Sequence, residues 1–222
     1  MLQCLKNLNV GRDIMKKFLS RIKFNAPVTL TFAALCALAL LINFITGGWA
    51  NEHLFCTFRS GLMNPLTYVR ALGHVIGHTD WSHFMGNMTL ILLLGPLIEE
   101  RYGSRALAEM IIITAVVTAI IHALLSSSTA ILGASGIVFM LIILSSISNV
   151  KSGEIPITFI LVVIIFIGGE VVDCFKDDDI SQLAHIVGGI CGGALGAVFG
   201  LFMAGHEKEE KEKDRAKLQA DE

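Results

Sequence analysis

Long apolar blocks, separated by short polar connectors, make up most of the chain from residue 28 onwards. A helix needs about 20 mainly apolar residues to cross the hydrocarbon core of a bilayer, which is roughly 30 Å thick. The pattern therefore predicts an all-α membrane protein rather than a soluble domain. We expect six membrane-spanning helices, over residues 28–45, 83–98, 106–125, 133–150, 155–171 and 182–204.

Composition and the placement of charge agree with this class. Hydrophobic residues make up 54% of the chain and the mean hydropathy is +0.68, which is too apolar for an ordinary soluble domain. With the N-terminus inside, 14 of the 17 Lys and Arg residues fall on the cytoplasmic side. Because cytoplasmic connectors are enriched in positive charge, we predict a multi-pass protein with both termini in the cytoplasm. A basic stripe with interleaved aromatic residues is absent from the sequence, so nucleic acid is not an expected partner.

The two ends and the first external connector differ from the spans. Residues 1–25 form a basic amphipathic segment with two open interpretations, a helix on an anionic leaflet or a solvated basic tail. Residues 26–205 contain the spans, and residues 206–222 form a charged cytoplasmic tail. The first external connector, residues 46–82, is long and rich in aromatic residues, so we expect it to be structured.

Five cysteines are scattered along the chain without metal-ligand spacing. Cys36 and Cys191 lie in apolar blocks, where a thiol behaves as a small hydrophobic group. Cys56 and Cys174 both fall in predicted external connectors, so a disulfide between them stays open from the sequence.

A segment of small residues, Gly133-Ala134-Ser135-Gly136, opens the fourth predicted span. Small residues permit close approach of another backbone, and the start of a helix offers free N–H groups and the positive end of the helix dipole. A serine there can act as a nucleophile whose own amide helps to hold an oxyanion. The alternative is a segment that only caps and packs the helix. It is not the GxSxG nucleophile elbow, because Ile137 stands in the place of the last glycine.

A histidine, His185, lies a few residues into the otherwise apolar sixth span. Gly189, Gly192 and Gly196 follow on the same helical face. Small residues at such spacing let a second helix come close, so the imidazole is expected at a tight helix contact. A base that serves a serine on a neighbouring span needs this position. The alternative is a histidine bound to a backbone carbonyl in a packed bundle.

Three histidines and an asparagine precede and begin the second span: His74, His78, His83 and Asn87. His83 and Asn87 project from one helical face, and both side chains can donate hydrogen bonds to a developing oxyanion. His74 and His78 share a face in the same way if their segment is helical. Zinc is not expected, because the sequence has no HExxH motif and no clustered carboxylates beside these histidines. We expect neither a metal ion nor a cofactor.

Taken together, these segments resemble the rhomboid family of intramembrane serine proteases. The matching features are His83-x-x-x-Asn87 in the second span, the segment around Ser135 in the fourth, and Ala184-His185 followed by glycines in the sixth. They occur in the family's order and fit the predicted six-span topology.

Two further segments support the resemblance, which covers about residues 26–205. Residues 95–104 (GPLIEERYGS) are similar to the family's glycine–acid–Arg–x–Gly segment after the second span. Arg70 and His74 occupy positions where the family has an arginine and a histidine in its first loop. Val69 departs from the pattern, because a tryptophan often stands beside that arginine.

The resemblance implies a six-helix rhomboid bundle with a long structured first external loop, and a serine endopeptidase that cleaves transmembrane segments near the external face. Ser135 would be the nucleophile and His185 the general base, a dyad without an orienting acid. Asn87 and His83 would hold the oxyanion together with the Ser135 amide. Phe139 occupies the position of an aromatic residue that packs on the histidine ring.

The remaining expectations concern support, partners and location. The residues expected to support the site are Gly133, Gly136, His74 and His78. The expected partners are transmembrane protein substrates and the lipid bilayer, and compact connectors favour a bacterial inner membrane. One alternative is a catalytically inactive rhomboid relative that binds membrane clients. Another is a small transporter, which predicts internal repeats or midplane charges that the sequence does not display.

Overall fold

The computed structural model describes residues 24–125, 129–147, 157, 160–161, 164 and 184–200. Within these residues the regular structure is helical, and Thr57 and Ile131 form an isolated β-bridge. The helices are α1 (Pro27–Ile45), a π-helical turn (Asn51–Phe55), α2 (Pro65–Gly73), a 3₁₀ turn (His74–Ile76), α3 (Trp81–Tyr102), α4 (Ser104–Leu125), α5 (Ser135–Ile147) and α6 (Ala184–Gly200).

Three helices, α1, α3 and α4, are long and apolar enough to cross a membrane, and α5 and α6 are shorter apolar helices. The predicted helical membrane class is therefore confirmed. The total of six spans stays a prediction, because most of residues 155–171 lie outside the described residues. The segments predicted at 1–25 and 206–222 lie almost wholly outside them as well. α3 is central to the described part of the bundle, because it packs against α1, α4 and α5.

Two helix boundaries differ from the predicted spans for local reasons. α3 starts before residue 83, because the Asp80 side chain caps it by accepting a hydrogen bond from the His83 backbone N–H at 2.9 Å. It ends beyond residue 98, at Tyr102, and the capping residue Gly103 has a φ of +87°. α5 begins at Ser135 rather than at residue 133, because Gly133 adopts a non-helical φ of +129°.

The connection between α1 and α3, residues 46–80, contains regular structure, and a buried arginine holds it together. The Nε of Arg70 donates to the backbone carbonyl of His53 at 2.9 Å. Its guanidinium carbon lies 4.5 Å from the centroid of the Phe58 ring, a cation–π contact. The position of this connection outside the membrane stays a prediction.

The cysteine of this connection, Cys56, has a free and buried thiol that donates to the Glu52 carbonyl at 3.4 Å. Burial raises the pKa of the Cys56 thiol, which keeps it protonated near neutral pH. Cys174 lies outside the described residues. The disulfide that the sequence left open is therefore not formed by Cys56 in this structure.

The carboxylate of Glu99, near the end of α3, caps the start of α1. This buried side chain accepts hydrogen bonds from the backbone N–H groups of Val28 and Thr29, both at 2.9 Å, and from the Thr29 hydroxyl at 2.8 Å. Gly95, one turn earlier, allows the close approach, since a Cβ there would lie 2.6 Å from Thr29 Cγ2. A helix start offers unpaired N–H groups and positive potential, so the carboxylate ties the two helices together.

We expect Glu99→Gln to lower the free energy of unfolding by about 1–3 kcal/mol, because the amide leaves buried donors without an acceptor. Thermal unfolding in detergent measures the change. Glu100→Gln is the matched control, since Glu100 is the exposed neighbour, and it should leave stability nearly unchanged. Equal stability of the two variants would show that the cap contributes little.

Glycines bring α5 and α6 into backbone contact. A Cβ at Gly188 would overlap the backbone of Gly136, and one at Gly192 would lie 2.6 Å from the Met140 carbonyl oxygen. A Cβ at Gly136 would in turn lie 3.2 Å from the Ala184 carbonyl oxygen. Gly189, which the sequence analysis placed at the contact, has only an ordinary neighbour, the Ile143 Cγ1 at 3.8 Å from its Cβ position. The two backbones therefore approach most closely along the line of Gly188 and Gly192.

We expect Gly188→Ala to destabilise the bundle by about 1–3 kcal/mol, because overpacking forces the two backbones apart. The gain in helix propensity, about 1 kcal/mol, opposes this loss. Gly193→Ala is the control, since a Cβ there lies 4.0 Å from Ile143 Cγ2 and brings only the propensity gain. Unfolding curves in which Gly188→Ala is as stable as Gly193→Ala would contradict the close contact.

Candidate active site

A cavity of about 410 Å³ opens where α3, α4, α5, α6 and the 46–80 connection meet. Six residues singled out from the sequence line it: His74, His83, Gly133, Ser135, Gly136 and His185. Asn87, His78 and Phe139 are not among the described residues that line this cavity. The structure thus brings both members of the predicted dyad and one predicted oxyanion donor to a single space.

The position of Ser135 follows from the segment that leads into α5. Ser135 is the first residue of that helix, where the leading N–H groups have no acceptor within the helix. The positive φ of Gly133 turns the chain immediately before it. A Cβ at Gly133 would lie 2.8 Å from the Nε2 of His83, so only glycine fits between the histidine ring and the backbone.

Four hydrogen bonds fix the segment before Ser135. Thr57 and Ile131 exchange backbone hydrogen bonds, each 2.9 Å long. The Gly133 N–H donates to the His74 carbonyl at 2.8 Å. On the other side, the Nε2 of His122 donates to the Thr129 carbonyl at 2.9 Å. The segment is thereby anchored both to the 46–80 connection and to α4.

The imidazole of His185 stacks face to face on Phe139. The two ring centroids are 4.3 Å apart and the planes differ by 6°. Because Phe139 lies one helical turn after Ser135 on α5, the stacking holds the His185 ring beside the start of that helix. The close backbone approach of Gly136 to Ala184 also holds His185 near the start of α5.

The two predicted oxyanion donors lie one helical turn apart on α3. His83 is half-buried and lines the cavity. Asn87 is buried, and its Nδ2 has no hydrogen-bond partner in the structure of the described residues. A buried donor without a partner costs about 1–3 kcal/mol, so this amide is available to a ligand that brings an acceptor.

His74 and His78, two histidines of the connection, are neutral near pH 7. Burial lowers the pKa of His74 to about 4 and the pKa of His78 to about 4. The Nδ1 of each faces a carbonyl at 3.1 Å, that of Ala71 for His74 and that of Ile76 for His78. In a neutral ring Nδ1 must be the donor in such a contact, which leaves Nε2 as an acceptor. His78 also packs edge-on against His83, with 5.1 Å between centroids.

Sequence reasoning missed two threonines of α4 and one threonine before α3, Thr114, Thr118 and Thr79, which also line the cavity. The hydroxyl of Thr118 is buried without a partner among the described residues. The spacing of Thr114 and Thr118 puts them on one helical face, but threonine is common in apolar helices and the spacing alone is not a signal. Among the described residues, no three His, Cys, Asp or Glu side chains are grouped to hold a metal ion.

The comparison with protein families agrees with the helical membrane architecture. A family model described as the Rhomboid domain matches residues 65–202. The match covers more than half of the chain, and the chain belongs to the rhomboid family. The comparison with curated proteins finds no match to the chain.

Proposed function

We propose that this chain is a serine endopeptidase that cleaves transmembrane segments of other membrane proteins near the external face of the bilayer. Ser135 is the nucleophile and His185 the general base. One observation carries the proposal: Ser135, His185 and His83 line the same cavity of about 410 Å³. The cavity thus offers an alcohol and an imidazole from different helices, the two groups that nucleophilic catalysis combines.

The chemistry follows from the surroundings of each group. His185 takes the proton of Ser135 while the hydroxyl oxygen attacks the scissile carbonyl carbon, and the resulting imidazolium then protonates the leaving amine. A water molecule, activated by the same imidazole, hydrolyses the acyl-enzyme. Phe139 supplies the orientation that a carboxylate supplies in a triad, since its ring fixes the plane of His185.

In this proposal, three donors hold the oxyanion of each tetrahedral intermediate. The Ser135 amide, the His83 ring and the Asn87 amide are these donors. Support comes from the unpartnered Nδ2 of Asn87 and from the 2.8 Å between the Gly133 Cβ position and His83 Nε2. Removing one such donor typically costs about 10²–10³ in rate.

The substrate is itself a membrane helix, because the chain is a membrane protein and its cavity lies among apolar helices. The scissile carbonyl of such a helix is hydrogen-bonded internally, so the substrate must unwind locally before Ser135 can attack. Glycine near the cleavage point eases this step because it weakens the helix. The proposal includes a six-span arrangement in an inner membrane, and the positive-inside distribution supports cytoplasmic termini.

We expect a fluorophosphonate probe to label the wild-type protein in detergent and not Ser135→Ala, because the probe reacts with activated serines. His185→Ala should slow labelling by about 10²–10⁴-fold, the usual contribution of a general base. Ser145→Ala is the control on the same helix, since the Ser145 hydroxyl only bonds the Ile142 carbonyl. A folded wild type that is not labelled would favour an inactive client-binding relative, and labelled Ser135→Ala would identify another nucleophile.

We expect Asn87→Ala to lower kcat/KM for a transmembrane substrate by about 10²–10³-fold, because one oxyanion donor is lost. Its melting temperature should change little, since the variant also removes a buried donor without a partner. Thr89→Ala, on the exposed side of α3, should change neither quantity. If Asn87→Ala loses stability and activity in parallel, the asparagine acts in folding rather than in catalysis.

A further inference from the structure

A groove of about 640 Å³ lies between the end of α1 and the start of α3. Both helices are long and apolar enough to cross a membrane. The apolar side chains that line the groove include Leu40, Leu41 and Phe44 of α1 and Trp81 and Phe84 of α3. Three of these, Leu41, Phe44 and Trp81, are exposed. The groove therefore opens to the surroundings of the bundle, and its volume is in the usual range for a ligand site.

The groove exists because α1 loses its packing partners over its last turns. Phe32, Cys36 and Ala39 are buried at helical spacing, but no residue of α1 after Ala39 is buried. The end of the helix is held instead by the connection that follows it, since the Oδ1 of Asn43 accepts from the Asn51 backbone N–H at 3.0 Å. The space beside these last turns is therefore not filled by the described residues.

One end of the groove is polar, because Asp80, Thr79 and Asn43 line it. The Oδ1 of Asp80 accepts from the His83 backbone N–H at 2.9 Å, and its Oδ2 accepts from the Thr79 hydroxyl at 2.8 Å. The first of these bonds is the largest of the influences that lower the pKa of the carboxyl group, so Asp80 is ionised near neutral pH. Each carboxylate oxygen still has a lone pair for another donor, and the residue is exposed.

The negative charge of Asp80 is not balanced within the part of the chain that the structure describes. The ion pair found there is Arg105 with Glu109, on α4. Neither lysine nor arginine is among the described residues that line the groove. A positively charged group is therefore complementary to this end of the groove, and a headgroup with only negative charge is repelled by it.

The two tryptophans of the chain indicate the level of this end in the membrane. Trp49 and Trp81 are 51% and 66% exposed, and tryptophan is enriched where lipid headgroups meet the hydrocarbon. Asp80 directly precedes Trp81, so its carboxylate lies at the headgroup level as well. The apolar lining extends from there along α1 to Ala37, which lies about 10 Å from Phe44 by the rise of an α-helix. The groove thus joins a charged end at the membrane surface to an apolar part within the membrane.

We propose that this groove binds one molecule of phosphatidylethanolamine, with its ammonium group on the Asp80 carboxylate and an acyl chain along the apolar lining. A primary ammonium group donates up to three hydrogen bonds, as lysine does. The exposed face of Trp81 adds a cation–π contact. Phosphatidylcholine has no N–H to donate to the carboxylate. Phosphatidylglycerol has no positive charge, so both lipids fit this end less well.

The lipid site borders the candidate active-site cavity without being part of it. Thr79 lines both spaces. Its hydroxyl binds the Asp80 carboxylate and lies 3.1 Å from the Nδ1 of His83. A lipid bound to Asp80 is therefore one residue away from the wall of that cavity. The inference concerns lipid binding and does not depend on the proposed function.

Two variants test the two ends of the site separately. Asp80→Asn removes the charge and keeps the cap of α3, because asparagine is as good an N-cap as aspartate. Its control is Glu52→Gln, the same change in net charge at an exposed residue of the π-helical turn. Ala37→Phe places a ring in the apolar part of the groove. Its control is Ala34→Phe, since Ala34 is also exposed on α1 but is not among the described residues that line the groove.

The experiment is native mass spectrometry of the full chain, titrated with phosphatidylethanolamine, phosphatidylcholine and phosphatidylglycerol that carry identical acyl chains. We expect the first phosphatidylethanolamine to bind about two- to fivefold more tightly than the other two lipids, the usual contribution of one exposed ion pair. Asp80→Asn should abolish this preference and Glu52→Gln should keep it. Ala37→Phe should weaken the first binding of all three lipids, whereas Ala34→Phe should not.

Three results would overturn the inference. Equal affinity of the wild type for the three lipids, or a preference that Asp80→Asn leaves unchanged, would reject the ammonium contact. Lipid binding that is equal in Ala37→Phe and Ala34→Phe would place the acyl chain elsewhere. A dimer mass that Ala37→Phe abolishes would assign the groove to a second copy of the chain. Ala37→Phe does not touch the cap of α3, so it tests the site even if Asp80→Asn fails to fold.

Discussion

The close contact of α5 with α6 is the constraint on which the rest of the site depends. Ser135 and His185 lie on different helices, and a side chain at Gly188 would overlap the backbone of Gly136. In a lipid bilayer the hydrophobic effect contributes little to helix association. Close packing of small residues must therefore stabilise the contact between the two helices. Because Gly136 follows Ser135 and Ala184 precedes His185, the contact that joins the helices also sets the distance between the side chains of Ser135 and His185.

The connection between α1 and α3 acts as a frame for this contact rather than as a passive loop. It holds Ile131 through the bridge to Thr57 and Gly133 through the His74 carbonyl, and so fixes the approach to α5. The same connection supplies Asp80, which begins α3 and binds the His83 backbone. One irregular segment therefore positions both Ser135, the proposed nucleophile, and His83, a proposed oxyanion donor.

Some features of this arrangement depend on residues that are close in sequence and can be predicted from it. Others depend on contacts between distant residues and cannot. The apolar blocks predicted the helices, and the spacing of His83 and Asn87 predicted one helical face, because such patterns depend only on helix geometry. The cap of Glu99 on α1 joins residues about 70 positions apart, and no local pattern reveals it. In the sequence, Thr79 and Asp80 look like ordinary capping residues. The contact between the Thr79 hydroxyl and the Nδ1 of His83, at 3.1 Å, depends on side-chain rotamers that the sequence does not reveal.

Two buried donors without partners in the described part of the chain lie on the helices α3 and α4, which both line the cavity. In an apolar bundle a buried donor without a partner is costly, and a structure needed only for stability would replace it with an apolar side chain. Among the described residues, Asn87 Nδ2 and Thr118 Oγ1 are such groups, and both belong to helices that line the cavity. Under the proposed function, this cost is recovered when the oxyanion of the substrate accepts a hydrogen bond from these groups. This is how preorganised donors favour a charge that develops only during reaction.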